Sequence, residues 1–169
     1  MQEKEAACGL SCGGEPAQRQ GEDAASQSRD SADSELMRHR ERLFLPSILL
    51  VEDDLTLATL EAGVLTAHGF TVDIVNSGER AIAILHQSLP DLVVLDIELT
   101  GLIQGWEVLE ALRAIAAIPV LLTTSSTSAV RERIRSLGET RLTLDHLPKP
   151  YPMQTLLKRV KRMLMVATQ

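Results

Sequence analysis

Aromatic side chains are scarce: Phe44, Phe70, Trp106 and Tyr151 are the whole complement of a 169-residue chain. Platforms that stack nucleic-acid bases need several aromatic faces, so composition excludes that class. An excess of basic charge is missing too. The formal net charge is −6, whereas a surface that follows a phosphate backbone is basic. No apolar run is long enough to span a bilayer, and no basic start leads into an apolar stretch, which predicts an unexported, cytoplasmic protein with no membrane partner. Cysteine is limited to Cys8 and Cys12. With no further Cys and no His cluster nearby, these read as free cytosolic thiols more readily than as a disulfide or half a metal site. The length leaves room for one domain of about 120 residues plus a tail and excludes a two-domain enzyme.

What the chain does have begins at Ser47. Residues 1–46 are rich in Glu, Gln, Ser, Ala, Gly and Arg. Such a segment buries too little apolar surface to offset its ordering entropy, so a disordered tail is expected, with a short helix over Ser34–Leu45 at most. Over residues 47–165 short apolar runs alternate with helical periodicity. Ile48-Leu49-Leu50-Val51 and Leu92-Val93-Val94-Leu95 carry no polar alternation, the pattern of strands buried on both faces of a parallel sheet. Phe70–Val75 alternates like a half-exposed edge strand, and Pro119–Leu122 and Leu142–Leu147 complete five strands. A first helix is predicted from Leu55 to His68, with Leu57, Leu60, Val64 and Leu65 inward and Gly69 as its stop. Four more follow, carrying Ala81, Ile82 and Leu85; Val108, Leu109 and Leu112; Val130, Ile134 and Leu137; and Leu156, Leu157, Val160 and Leu164. Five strand–helix repeats imply right-handed crossovers and a parallel sheet covered on both faces.

A carboxylate inside a doubly buried strand would be costly to desolvate, so Asp96 belongs at the strand's carboxyl end, the edge where open α/β sheets bind ligands. Alone it could equally be an aspartate capping a turn. Its company gives it meaning. The first strand ends in Glu52 and Asp53, the fourth in Thr124 and the fifth in Lys149, so different polar groups converge on one edge of an apolar sheet. The run Glu52-Asp53-Asp54 could be a solvated turn with Asp54 as helix cap, or a hard-oxygen cation site. Together the set suits a phosphoryl acceptor: Asp96 as nucleophile, carboxylates for a magnesium ion, a hydroxyl for a phosphoryl oxygen and an ammonium to offset charge.

Four motifs, in this order, resemble the receiver domain of two-component response regulators across about Ser47 to Leu164. They are Leu49-Leu50-Val51-Glu52-Asp53-Asp54, Val94-Leu95-Asp96, Pro119-Val120-Leu121-Leu122-Thr123-Thr124 and Lys149-Pro150-Tyr151. The resemblance implies a flavodoxin-like (βα)5 doubly wound sheet with strand order 2-1-3-4-5. It implies Asp96 as phospho-acceptor and Mg2+ as cofactor, held directly by Asp53 and Asp96, by Glu52 largely through water, and by the backbone carbonyl of Glu98. Thr124 would take a phosphoryl oxygen and Lys149 would pair with the charged groups. The donor would be a sensor histidine kinase or a histidine phosphotransfer protein, and the output a downstream protein target or onward phosphorelay. Such a protein is a phospho-acceptor and not a turnover enzyme; its own phosphorylation and dephosphorylation are the reactions it would catalyse. The polar tail offers no DNA-binding module, so a stand-alone receiver without direct DNA contact is expected.

The sequence departs from the pattern in places. After the acceptor, Thr100 and Gln104 stand where the family usually has Pro and Gly, and Gly105 comes one place late, as if one residue were inserted. The stretch between Thr124 and Lys149 is also longer than usual. Three residues before Lys149, where receivers commonly carry a Tyr or Phe that rotates on phosphorylation, stands His146, either a switch or a surface histidine on an edge strand. The face of the fourth helix, fifth strand and last helix, with Arg131, Arg135, Lys158 and Arg162, is expected to meet a partner or a second copy. Two alternatives remain: a receiver-like adaptor that is never phosphorylated, and a haloacid-dehalogenase-type phosphatase. The phosphatase is suggested by Asp96-Ile97-Glu98-Leu99-Thr100, but Glu98 replaces the usual second Asp and the acidic cluster precedes the nucleophile strand.

Overall fold

The computed structural model describes residues 45–167; residues 1–44, with nearly all of the segment expected to be a short helix and with Cys8 and Cys12, lie outside them. The described chain alternates strictly: β1 (Ser47–Val51), α1 (Leu55–Ala67), β2 (Thr71–Val75), α2 (Gly78–Leu85), β3 (Leu92–Asp96), α3 (Gly105–Ile115), β4 (Val120–Thr124), α4 (Thr127–Ser136), β5 (Leu144–Pro148) and α5 (Met153–Ala167). All strand pairs are parallel, in the order β2-β1-β3-β4-β5. This is the doubly wound flavodoxin-like sheet expected from the strand–helix rhythm and the resemblance. β3 and β4 are buried along their whole length, as unalternated apolar runs require.

Side chains leave the sheet on alternate faces and build two cores. Leu49, Val51, Val93, Leu95, Val120 and Leu122 meet α2, α3 and α4 on one face. Ile48, Leu50, Leu92, Val94 and Leu121 meet α1 and α5 on the other.

α1 corrects the expectation. Its buried residues are Ala58, Glu61, Ala62 and Leu65, whereas Leu60 is 57% exposed and Leu57 and Val64 are only half-buried. Apolar residues lie all round this helix, so periodicity could not choose the face; packing against the sheet chose the small alanines and carried Glu61 inside. Leu137, expected inward on α4, is largely exposed. β5 begins at Leu144 because residues 141–143 form a turn, held by Thr143 N–H to Thr140 O at 3.0 Å.

The late Gly105 has a steric reason. A Cβ there would stand 2.2 Å from Asp96 O and 2.7 Å from Ile97 Cα, so α3 can start against the end of β3 only with glycine. The loop before it leans on α2, where Gly78 admits Ile103 and Glu79 Oε1 accepts the Ile103 N–H at 3.2 Å.

Candidate functional site

The carboxyl ends of β1, β3, β4 and β5 meet at one edge. Glu52 N–H extends the ladder to Val75 O at 3.0 Å, and Lys149 N–H extends it to Thr124 O at 2.8 Å. Both residues therefore enter the site on backbone already fixed by the sheet. Asp54, the third acid of the run, turns away to cap α1, accepting from Thr56 N at 2.9 Å and Leu57 N at 3.1 Å. This separates the two readings of the acidic run: Asp54 is the cap, and Glu52 and Asp53 face the site.

Lys149 Nζ stands 2.7 Å from Glu52 Oε2 and 2.7 Å from Asp96 Oδ2. Glu52 is 1% exposed and Asp96 3%. Asp96 Oδ1 accepts the Glu98 N–H at 2.9 Å, so the hairpin of chain after β3 orients the carboxylate. Asp53 Oδ2 accepts the Thr100 N–H at 3.0 Å and ties the acidic turn to that same loop. Burial pushes the Glu52 carboxyl up, against the pull of the Lys149 ammonium. Burial alone would lower Lys149, but its two carboxylate partners outweigh it and hold the ammonium above its ordinary range. Burial likewise opposes ionisation of Asp53, and its hydrogen bonds with Thr100 overcome it, leaving the carboxyl below the usual range.

One carboxylate oxygen from each of Glu52, Asp53 and Asp96 can lie within 4.8 Å of the others. Three carboxylates thus face one ammonium in a largely desolvated pocket, with negative charge left over. An all-oxygen donor set of that kind fits a hard divalent cation such as Mg2+. The Glu98 side chain is not among these donors: its Oε2 accepts the Ser125 N–H at 2.9 Å, bridging the loops after β3 and β4, and that bond holds its carboxyl below the usual range.

The remaining predicted groups are placed differently. Thr124 is fully buried at the end of β4, but its hydroxyl is engaged with the next turn, accepting from Ser126 N at 3.0 Å and donating to Ser126 O at 3.3 Å. His146 lies in β5, away from the carboxylates, where Arg131 Nε of α4 donates to its Nε2 at 3.1 Å. Burial lowers its pKa, with Arg131 adding to the shift against Asp145. Of the basic residues on that face, Arg162 joins Arg159 in pairing with the buried Asp145.

Sequence reading missed Glu61. It is 0% exposed on α1, where its Oε1 accepts from the Tyr151 hydroxyl; with apolar residues all round the helix, spacing gave no signal for its inward face.

A family model described as the response regulator receiver domain matches residues 48–161. Among curated proteins, the Sensory transduction protein RegX3 of Mycolicibacterium smegmatis is 33% identical over 121 residues, 71% of this chain and 51% of its own length. The DNA-binding response regulator MtrA of Mycobacterium tuberculosis is 33% identical over 114 residues, 68% of this chain and 48% of its own. The chain therefore spans about half the length of the curated relatives it matches, and these relatives lend no support to the expectation that direct DNA contact is absent. Among solved structures, the BeF3-activated N-terminal receiver domain of RstA from Klebsiella pneumoniae superposes with a TM-score of 0.60 at 33% identity, covering 70% of this chain and 97% of that one. The signal receiver domain of a Luxo repressor protein from Vibrio parahaemolyticus gives 0.66 at 26% identity, covering 74% and 94%. With the strand order, the converging acids and lysine, and these matches all in agreement, the chain belongs to the response regulator receiver domain family.

Proposed function

We propose that the domain accepts a phosphoryl group on Asp96 from the phosphohistidine of a sensor histidine kinase or a histidine phosphotransfer protein. The observation that carries this reading is Lys149 Nζ at 2.7 Å from both Glu52 and Asp96, in a pocket whose third acid, Asp53, completes a cation-binding set. A carboxylate oxygen of Asp96 attacks phosphorus, the phosphorus–nitrogen bond of the donor breaks, and the imidazole leaves with the electron pair. Such transfer is mostly positioning and neutralisation of charge on the equatorial oxygens. The Glu98 N–H orients the nucleophile and Lys149 stands where it can pair with an incoming phosphoryl oxygen; Asp53, Asp96 and the Glu98 carbonyl, with Glu52 largely through water, would hold a Mg2+ ion that would supply further neutralisation. Thr124 takes its phosphoryl oxygen by giving up its bonds to Ser126 at the start of α4. That release is the route by which the acceptor reaches the face of α4, β5 and α5, where Arg131, Arg135 and Lys158 meet a downstream protein or a second copy, with the Arg131–His146 contact as the movable element.

The test is mass spectrometry after incubation with acetyl phosphate and magnesium. Wild type should gain one phosphoryl group and Asp96→Asn none; normal labelling of the variant would overturn the assignment, and failure of wild type to label or to bind beryllofluoride would favour the unphosphorylated adaptor.

A further inference from the structure

β5 is the edge strand of the sheet, and α4 and α5 cover opposite faces beside it. Between the two helices lies a cavity of about 470 Å³, floored by Leu144, Asp145, His146 and Pro148. Arg131 and Arg135 reach it from α4, Arg141 from the turn before β5 and Arg159 from α5. Two carboxylates also line it, and both are already engaged: Glu139 is held by Arg113, and the buried Asp145 by Arg159 and Arg162. Arg131, Arg135 and Arg141 have no carboxylate partner among the described residues. Their charge converges on the floor. His146 Nε2 accepts from Arg131 Nε at 3.1 Å, and burial first, then Arg131, Arg159 and Arg141, lower the His146 pKa against the pull of Asp145.

Charge and shape select among the anions that would fit. No aromatic side chain lines the cavity, so a nucleobase would have nothing to stack on. A strand added to this edge would find few donors, since Leu144 N–H is taken by Thr140 O at 2.8 Å and Pro148 has none. A second copy meeting the face in a two-fold contact would set arginine against arginine. Opposite Arg131 and Arg135, α5 supplies Lys158 and Lys161 and no acid to relieve that repulsion. The net charge of −6 steers a long polyanion away, whereas a short acidic segment responds chiefly to the guanidinium groups within a Debye length, about 8 Å at physiological ionic strength. Carboxylates match the guanidinium fork, and a cluster of them engages several forks at once.

We propose that this cavity receives clustered Asp or Glu side chains of a partner protein, and that the face does not pair with its own copy. The inference rests on the reading of α4, β5 and α5 as the output face and decides between the two partners named for it. A carboxylate cluster seated here competes with His146 for Arg131 and adds negative charge beside the ring, so occupancy raises the His146 pKa.

The probe is a synthetic peptide with consecutive glutamates between alanines, set against the same peptide with glutamines. The full chain is titrated with each at about 50 mM salt, with and without beryllofluoride and magnesium, and the His146 ring and amide are followed by NMR. The glutamate peptide should bind and raise the His146 midpoint, and the glutamine peptide should do neither. Arg135→Glu combined with Arg141→Glu, both exposed positions, should keep the wild-type Tm and lose on the order of tenfold or more in affinity. Undiminished binding by this variant, an unmoved His146 midpoint, tighter binding of a short DNA duplex than of the glutamate peptide, or concentration-dependent His146 shifts that report self-association through this face would each overturn the proposal. An affinity changed by beryllofluoride supports the output reading as well, whereas an unchanged one supports the cavity and overturns its tie to phosphorylation. Failure of the glutamate peptide to bind in either state overturns the proposal and leaves Asp96 as acceptor to its own labelling test.

Discussion

The ionisation of Glu61 carries a stability consequence. Its folded-state pKa, about 7, lies above the unfolded value of about 4.3, so the folded protein binds this proton more tightly. The stabilisation is fully present below about pH 4 and is lost as pH rises through 7. Over that window the loss should approach about 3–4 kcal/mol. Glu61→Met replaces the acid by an apolar side chain of similar volume and should remove this dependence, making the variant more stable than wild type at pH 8 by about 1–3 kcal/mol. Urea melts at pH 5.5 and pH 8 check it; equal pH slopes for the two proteins would show that Glu61 is neutralised by something other than a proton. The same residue shows where sequence reading fell short. The strand-end acids were legible because they converge with Thr124 and Lys149 on one edge of the sheet, whereas a glutamate within a helix is ordinary until the helix's inward face is known.

At the scale of elements, Arg113 fastens the edge of the sheet opposite the acceptor site. From α3 its guanidinium donates to both Glu139 oxygens at 2.8 Å, to Ile118 O at 2.8 Å and to Thr143 O at 3.2 Å, joining the entry of β4 to the long connection before β5. Lysine cannot reproduce the planar fork, so Arg113→Lys should cost about 1–3 kcal/mol; chemical denaturation within about 0.5 kcal/mol of wild type would show the fork to be dispensable. α4 is held quite differently. Val130 is its one buried residue, and Ser126 gives its N-terminus no side-chain cap. Ile134 is half-buried against the same core, and the remaining named ties are surface contacts: Arg133 with Glu110 at 2.8 Å, Arg133 stacked 4.2 Å from the Trp106 ring centre, and Arg131 with His146. Helices with few buried contacts open at low free energy. Amide exchange in α4 should therefore be faster than in α3, and beryllofluoride with magnesium should change Trp106 fluorescence as Arg133 moves. Equal protection of the two helices, with unaltered fluorescence, would contradict this.

For the whole molecule, a metal ion bound by the acidic cluster of Glu52, Asp53 and Asp96 would be linked to folding. Anything that binds the folded state alone stabilises it by mass action, by about 2.7 kcal/mol at a hundredfold excess over Kd. Magnesium should raise the Tm of wild type accordingly. Asp53→Asn keeps an acceptor for the Thr100 N–H yet lowers the donor charge, so its metal-free Tm should be no lower than wild type while the magnesium-induced rise shrinks; an undiminished rise would remove Asp53 from the metal set. Much of this architecture was readable from the chain alone. Apolar runs such as Leu92–Leu95 admit one environment, a strand covered on both sides, and their alternation with helical periods leaves few topologies, so the sheet and the polar edge followed from local pattern. Asp96 ends such a run and Glu52 and Asp53 come after one, while Lys149 was read from the end of the fifth strand, whose apolar residues are interrupted by Asp145 and His146. Only tertiary structure decided which face of the evenly apolar α1 turned inward, that Thr124 spends its hydroxyl on Ser126, that Glu98 bridges to Ser125, and that Glu61 and Tyr151 meet. The Thr124–Ser126 turn is local; the other outcomes depend on contacts between residues far apart in sequence, whose energies appear only once the elements are packed against one another.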